Sequence, residues 1–258
     1  MRGALSKSET MRPSQTKAKK LSPVAGPVVS KKAVVRQGRS KPFAFLVACG
    51  IFLSRVTGLI RDRVFAHYFG NSDAADAFKA AFRIPNFLQN LFGEGVLSAS
   101  FIPVYARLLA QGDEEEARRT AGAVAALLAL TTSILVLAGV LATPLLIDAI
   151  APGFSGAKRE LTIRLVRILF PGAGLLVFSA WCLGILNSHR RFFLSYTAPV
   201  VWNAAMIATL LSFGGSRSQF PLAAILAWGS VAGSALQVFV QWPVVMKLLG
   251  RLRLSLSH

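Results

Sequence analysis

The sequence predicts an all-α fold, a polytopic transmembrane bundle of six helices over residues 43–258, behind a disordered basic tail over residues 1–42. Three observations predict it. Four runs carry no charge: Ala121–Ile147, Ile168–Ser188, Phe192–Ser216 and Ser218–Met246. Each is at least as long as the ~20 residues that cross a hydrocarbon core of about 30 Å. The chain of 258 residues is 53% hydrophobic and only 16% charged, whereas about a quarter of a soluble domain is charged. Finally, the formal charge of +18 is concentrated in the tail and the short connections rather than spread evenly.

The tail comes first. Residues 1–42 hold eleven basic side chains against Glu9, with frequent Ser, Pro and Gly and no periodic apolar face. Such a composition cannot bury enough surface to fold, and no apolar core of a signal peptide follows. Orientation in the membrane accounts for the basic charge; a polybasic segment on anionic lipid is the alternative.

The first two helices are expected at about 43–69 and 75–108, divided by a turn at Gly70–Asn71–Ser72–Asp73. Both contain charges. The four uncharged runs supply the other spans, with Pro144, Pro171, Pro199, Pro221 and Pro243 near their ends or within a turn or two of them, where a membrane helix tolerates them. With the N-terminus inside, the inner segments hold nineteen basic residues and the outer loops three, Lys158, Arg159 and Arg217. The positive-inside rule then puts both termini in the cytoplasm.

Function is expected to lie in the charged helices. A charge at membrane depth costs at least ~2.5–3.5 kcal/mol, so it faces a cavity or a partner. At 100° per residue, Arg55, Gly58 and Asp62 fall within about 60° of one another on the first helix, with Arg61 on the Gly58 side. On the second, Asp76, Lys79 and Arg83 share a face by i, i+3, i+7 spacing. The two stripes suggest a cationic cleft. The competing account is a set of ion pairs, Arg55–Asp62 and Asp76 with Lys79 or Arg83, tying the helices together, with Arg61 and Arg63 reaching to the interface. The basic residues Arg55, Arg61, Arg63, Lys79 and Arg83 outnumber Asp62, Asp76 and Glu94, so positive charge is left over. Guanidinium forks bind phosphate bidentately, which makes a phosphate-bearing amphiphile the natural ligand.

The second helix is expected to be broken. Pro85 cannot donate to the carbonyl of Ala81, Asn86 follows, and Gly93-Glu94-Gly95 adds a second flexible point. Gly58, Pro85, Asn86, Gly93 and Gly95 are therefore the expected hinge or helix-break positions. Broken helices with polar residues at membrane depth recur at transporter sites. Glu94 is either a proton or cation site or a polar residue at the cavity mouth.

Other features are structural in this reading. Two cysteines, Cys49 and Cys182, rule out a disulfide framework and read as packing residues. His67, His189 and His258 are too scattered for a metal site. Gly229, Ala232 and Gly233 suit close helix packing. Arg164 and Arg167 read as interface anchors. No nucleophile, metal or P-loop signature stands out, and the arginines beyond the tail sit in apolar helices, which argues against nucleic acid.

The motifs then carry a resemblance. Ser54-Arg55-Val56-x-Gly58-Leu59-x-Arg61-Asp62 is followed by Tyr68-Phe69-Gly70, by Asp76-Ala77-Phe78-x-x-Ala81-Phe82-Arg83-Ile84-Pro85-Asn86, and by Phe92-x-Glu94-Gly95. Ala151-Pro152-Gly153-Phe154, Leu186-Asn187, and Ala198-Pro199 with Asn203 come later. From about Ser54 to Leu249 the chain resembles the MurJ (MviN) lipid II flippase family of the multidrug/oligosaccharidyl-lipid/polysaccharide exporter superfamily. The resemblance implies fourteen helices with two six-helix lobes across a central cleft. It also implies movement of an undecaprenyl-pyrophosphate-linked peptidoglycan precursor across the cytoplasmic (inner) membrane, for cell wall synthesis, by alternating access.

The substrate residues it implies are Arg55, Arg61, Asp76, Arg83 and Glu94. It implies no enzymatic chemistry and no cofactor, with coupling either to membrane potential or to a monovalent cation. The chain departs from the family where a basic pair would follow Pro85-Asn86 and it has Gln89 and Asn90. Lys79 stands where the family is usually apolar, and is expected to supply part of the missing charge. Six helices make one lobe, so a second lobe or second copy is the implied partner. The alternatives are a truncated, non-transporting remnant or half-subunit, or an exporter of another polyprenyl-linked glycan.

Overall fold

A computed structural model describes residues 41–254, with the side chains of a few residues near its ends and that of Glu94 left out. Apart from Lys41 and Pro42, the expected disordered tail lies outside the described residues, as does His258. Among the described residues the structure is helical throughout: α1 (Lys41–Phe69), α2 (Asp73–Asn90), a π-helical segment (Leu91–Phe101), α3 (Ile102–Gln111), α4 (Glu114–Leu141), α5 (Thr143–Ile150), α6 (Gly156–Ser188), α7 (Phe192–Phe213) and α8 (Gln219–Leu254). Glu114–Leu141, Gly156–Ser188, Phe192–Phe213 and Gln219–Gly250 are long and apolar enough to cross a membrane. These correspond to the four uncharged runs.

Local chemistry sets the helix ends. Ser72 caps α2 by accepting the Ala75 amide at 3.2 Å, and Asp73 and Asp76 sit in the first turn, where acids complement the helix dipole. Asp113 caps α4, accepting the Glu116 amide at 3.1 Å ahead of Glu114, Glu115 and Glu116. Between α3 and α4 the chain turns at Gly112, whose φ of 78° is open to glycine without steric cost. The helix expected from the run 121–147 is divided: α4 stops at Leu141 and α5 restarts with Pro144 in its first turn, where a missing amide costs nothing.

The expected break in the second helix takes another form. The chain stays helical through Pro85 and then widens into the π segment that holds Gly93, Glu94 and Gly95 before tightening into α3. A true break would leave backbone groups unpaired, which an apolar surrounding penalises. The wider coil keeps them paired, and the Ser98 hydroxyl donates to the Gly93 carbonyl five residues back, at 3.1 Å. Gly93 also lets the segment approach α6, since a β-carbon there would meet Ala180 Cβ at 3.2 Å. α1 likewise runs unbroken through Gly58.

α6 is the central helix, packed on α2, α4 and α8. One apolar cluster joins the end of α1 to α2, α5, α6, α7 and α8, through Phe69, Phe78, Leu165 and Leu210 among others. A second joins the π segment, α3, α4, α6 and α8 around Tyr105, Trp181 and Leu186. Polar groups also tie α6 to α8: Gln237 Nε2 donates to Ser179 Oγ, and Ser179 Oγ to Gln241 Oε1, each at 2.8 Å and buried. Hydrogen bonds of this kind hold helices together where hydrophobic driving force is weak.

The connections segregate to two ends. At one, Gln219 Nε2 donates to the carbonyls of Tyr68 and Phe69 at 3.1 and 3.2 Å, and Lys158 reaches Asp73 and Asp76. There too, Arg159 makes a bidentate pair with Asp148 at 2.7 and 3.0 Å, and the guanidinium holds that carboxyl below the usual carboxylate range. At the other end, the Tyr105 hydroxyl meets His189 Nε2 at 3.0 Å, and burial pushes the His189 pKa down.

The α6–α7 connection holds a residue in a costly conformation. Arg190 has a φ of 59°, just past the end of α6, where a left-handed residue is usually glycine. For a residue with a β-carbon the left-handed region costs about 1 kcal/mol. Arg190→Gly is therefore expected to raise the thermal midpoint of the purified protein by a few degrees, measured by melting in detergent.

Candidate functional site

α1 packs on α7 and leaves the side facing α2 open. A cleft of about 240 Å³ runs between them, lined by Arg61, Asp62 and Phe65 from α1 and by Phe78, Lys79, Phe82, Arg83 and Asn86 from α2. Trp202 and Met206 of α7 complete its lining. The α2 residues follow i, i+1, i+4, i+5, i+8 spacing, one stripe of a helix. Toward the Gly70–Asn71 turn a second space of about 500 Å³ shares Asp62, Phe65 and Lys79 with the first. Of the two expected polar stripes, Arg61 and Asp62 of α1 and Lys79 and Arg83 of α2 border a common cleft, whereas Arg55, Gly58 and Asp76 do not.

Arg61 is its most constrained cation. Nε and Nη2 donate to Asp62 Oδ1 at 3.0 and 2.7 Å, and Nη1 donates to Asn203 Oδ1 at 3.0 Å. The guanidinium carbon lies 5.1 Å from the centre of the Trp202 ring, in range of a cation–π contact. Both α7 partners are fixed in turn. Asn203 is buried and donates to the Pro199 carbonyl at 3.2 Å. Trp202 Nε1 donates to the backbone carbonyl and hydroxyl of Ser230 on α8, each at 3.2 Å. Lys79 Nζ stands 6.0 Å from the Phe65 ring centre, and the aromatic wall continues through Phe78, Phe82 and Trp202.

The other expected site residues fall elsewhere. Asp76 leaves the cleft: its carboxylate accepts from Lys158 Nζ at 2.8 Å, and Lys158 also pairs with Asp73 at 3.0 Å and lies over the Phe154 ring. Arg55 is exposed on α1, borders none of the cavities described here and has no ion-pair partner among the described residues. Glu94 belongs to the π segment, and its side chain lies outside those described. Neither of the competing ion pairs forms, because Asp62 pairs with its neighbour Arg61 and Asp76 with Lys158. Arg164 and Arg167 are exposed on α6. Among the described residues, no group of His, Cys, Asp and Glu is placed to hold a metal ion.

Sequence reasoning missed Trp202, Phe65, Phe82 and Met206 as part of the cleft. An aromatic or methionine in an apolar helix carries no signal of its own. Asn203 stood out only as one of the resembling positions; a lone amide within an uncharged run is the signal that could have pointed to it.

The fold and cleft together define a multi-pass helical membrane protein with a cationic, aromatic-walled groove on one side. Residues 65–258 match the family described as lipid II flippase MurJ. A lipid II flippase MurJ from Burkholderia cenocepacia is 35% identical over 208 residues, 80% of this chain and 40% of the relative. A probable lipid II flippase MurJ from Haemophilus influenzae is 37% identical over 200 residues, 74% and 39% of the two. A solved structure, lipid II flippase MurJ in an inward closed conformation, superposes with a TM-score of 0.62 at 27% identity, covering 81% of this chain and 46% of the other. The chain belongs to the MurJ family. It spans about two-fifths of the length of the curated relatives it matches.

Proposed function

We propose that this chain forms a six-span lobe of a lipid II flippase of the inner membrane, a transporter rather than an enzyme. Lipid II, the undecaprenyl-pyrophosphate-linked precursor, is the substrate, and Arg61, Lys79 and Arg83 take its pyrophosphate. The observation that carries this is the convergence of those three cations on one groove walled by Phe65, Phe78, Phe82 and Trp202. Cations suit the pyrophosphate oxygens, and the aromatic wall suits the first units of a prenyl chain. The spans are α1, the rod from α2 through α3, α4, α6, α7 and α8, with both termini cytoplasmic by the distribution of basic residues. A second lobe, on the same or another polypeptide, or a second copy of this chain, supplies the facing wall for alternating access. Membrane potential or a monovalent cation drives the cycle. Asp76 acts from outside the groove, tethering the start of α2 through Lys158.

Depletion of the protein in cells tests the reading. Lipid-linked precursor is expected to accumulate on the inner leaflet; unchanged leaflet distribution would sink the flippase assignment. Lys79 stands in for the basic residues absent at Gln89 and Asn90, so Lys79→Ala is expected to reduce flipping several-fold. If flipping is unchanged in Lys79→Ala while Arg61→Ala abolishes it, the compensation is disproved.

A further inference from the structure

Among the described residues, the charged ends of Lys79 and Arg83 make no hydrogen bond, whereas all three Arg61 nitrogens are engaged. The Arg61 partners are of two kinds. Asn203 and Trp202 are held by Pro199 and Ser230; Asn203 accepts from Nη1 and the Trp202 ring centre lies 5.1 Å from the guanidinium carbon. Asp62 takes the remaining edge, Nε with Nη2, the edge that a phosphate takes side-on. Asp62 is 66% exposed and borders both spaces of the cleft.

We propose that Asp62 is a resident substitute for phosphate. It closes the bidentate edge of Arg61 and yields that edge to the phosphoryl oxygens of an incoming polyprenyl pyrophosphate, while Asn203 and Trp202 keep the guanidinium aimed. This rests on the reading that Arg61 grips the pyrophosphate. An exposed ion pair contributes little stability, so the exchange costs little in either direction. Pyrophosphate, carrying more than one negative charge, outcompetes Asp62; a lipid with a single carboxylate only matches it. By competing for the edge as the ligand departs, Asp62 weakens binding and speeds release. Asp62 is thus a specificity-setting and release-promoting residue of the cleft.

The test is a titration of the full chain in nanodiscs with undecaprenyl pyrophosphate, reading equilibrium affinity and dissociation rate. Asp62→Asn, with Asp62→Ser alongside it, is expected to bind about 2- to 5-fold tighter, the range that an exposed ion pair spans, and to release more slowly. The same substitutions are made in an Arg61→Ala background, where the gain should vanish. An equal gain without Arg61 would show a general field effect and overturn the proposal. Unchanged or weaker binding by the Asp62 variants, with Arg61→Ala still impaired, would overturn it while leaving the Arg61 grip standing. Full binding by Arg61→Ala would remove the grip and the substitute together.

Discussion

Arg61→Ala is expected to lower affinity for undecaprenyl pyrophosphate about 100-fold. A charge-assisted hydrogen bond contributes about 1.5–3 kcal/mol, and a side-on phosphate takes two from this guanidinium. Their combined loss, about 3 kcal/mol, corresponds to roughly two decades. The substitution also leaves the buried Asn203 Oδ1 without its donor at 3.0 Å and uncovers the Trp202 ring. Arg61→Lys retains the charge but loses the planar fork, and Arg and Lys are not equivalent where two parallel bonds are needed. About a 10-fold loss is expected there, by the same conversion for one lost bond. Titration in nanodiscs measures both, with a melting curve to confirm that each variant is folded. Wild-type affinity in Arg61→Ala would move the grip to Lys79 and Arg83.

Gly229→Val is expected to have the largest effect on stability. A β-carbon at Gly229 on α8 would collide with Thr209 Oγ1 on α7 and come within 2.9 Å of Thr209 Cβ and Cγ2. Thr209 has little room to yield, because its hydroxyl donates to the Ala205 carbonyl at 2.8 Å. About one turn further on, a β-carbon at Gly233 would stand 3.0 Å from both Ala205 Cβ and Trp202 Cδ1, so the two helices are in close contact along this seam. Overpacking a tight contact costs about 1–3 kcal/mol. Prising α8 from α7 also displaces Ser230, which orients the Trp202 indole against Arg61. The expected outcome is a lowered melting midpoint together with weakened pyrophosphate binding. Gly122→Ala on α4 is the control. A β-carbon there meets nothing within 4 Å, so the better helix former should leave the midpoint unchanged or raise it. If Gly229→Val melts with Gly122→Ala, the α7–α8 seam is looser than its geometry states.

Much of the cleft was legible in the residues because it depends on helical periodicity. Lys79, Arg83 and Asn86 come to one face of α2 by spacing alone, and Arg61 with Asp62 on α1 meets them across the groove. Asp76 shows where periodicity stops being enough. It shares the angular face of Lys79 and Arg83 but stands seven residues before Arg83, about 10 Å along the axis. That distance carries it out of the cleft to Lys158, 82 positions away in the chain. The break expected at Gly93–Gly95 takes the form of a wider, π-helical coil. Glycines and a neighbouring proline permit a break, but the need to pair the backbone makes the chain widen instead.

The sequence by itself determined the all-helical class, four long apolar helices and the membrane class. Uncharged length, caps and left-handed turn residues are local properties that need no partner. It also determined that the first two helices carry surplus positive charge that must be answered. Only the tertiary structure decided which charges meet. Asp62 closes onto its neighbour Arg61, Asp76 onto Lys158, and Trp202 and Asn203 of α7 hold the guanidinium between helices 142 residues apart in sequence. The physical reason is that an ion pair or cation–π contact depends on a few ångströms of separation, and those distances are set by how α1, α2 and α7 pack, which no single helix encodes.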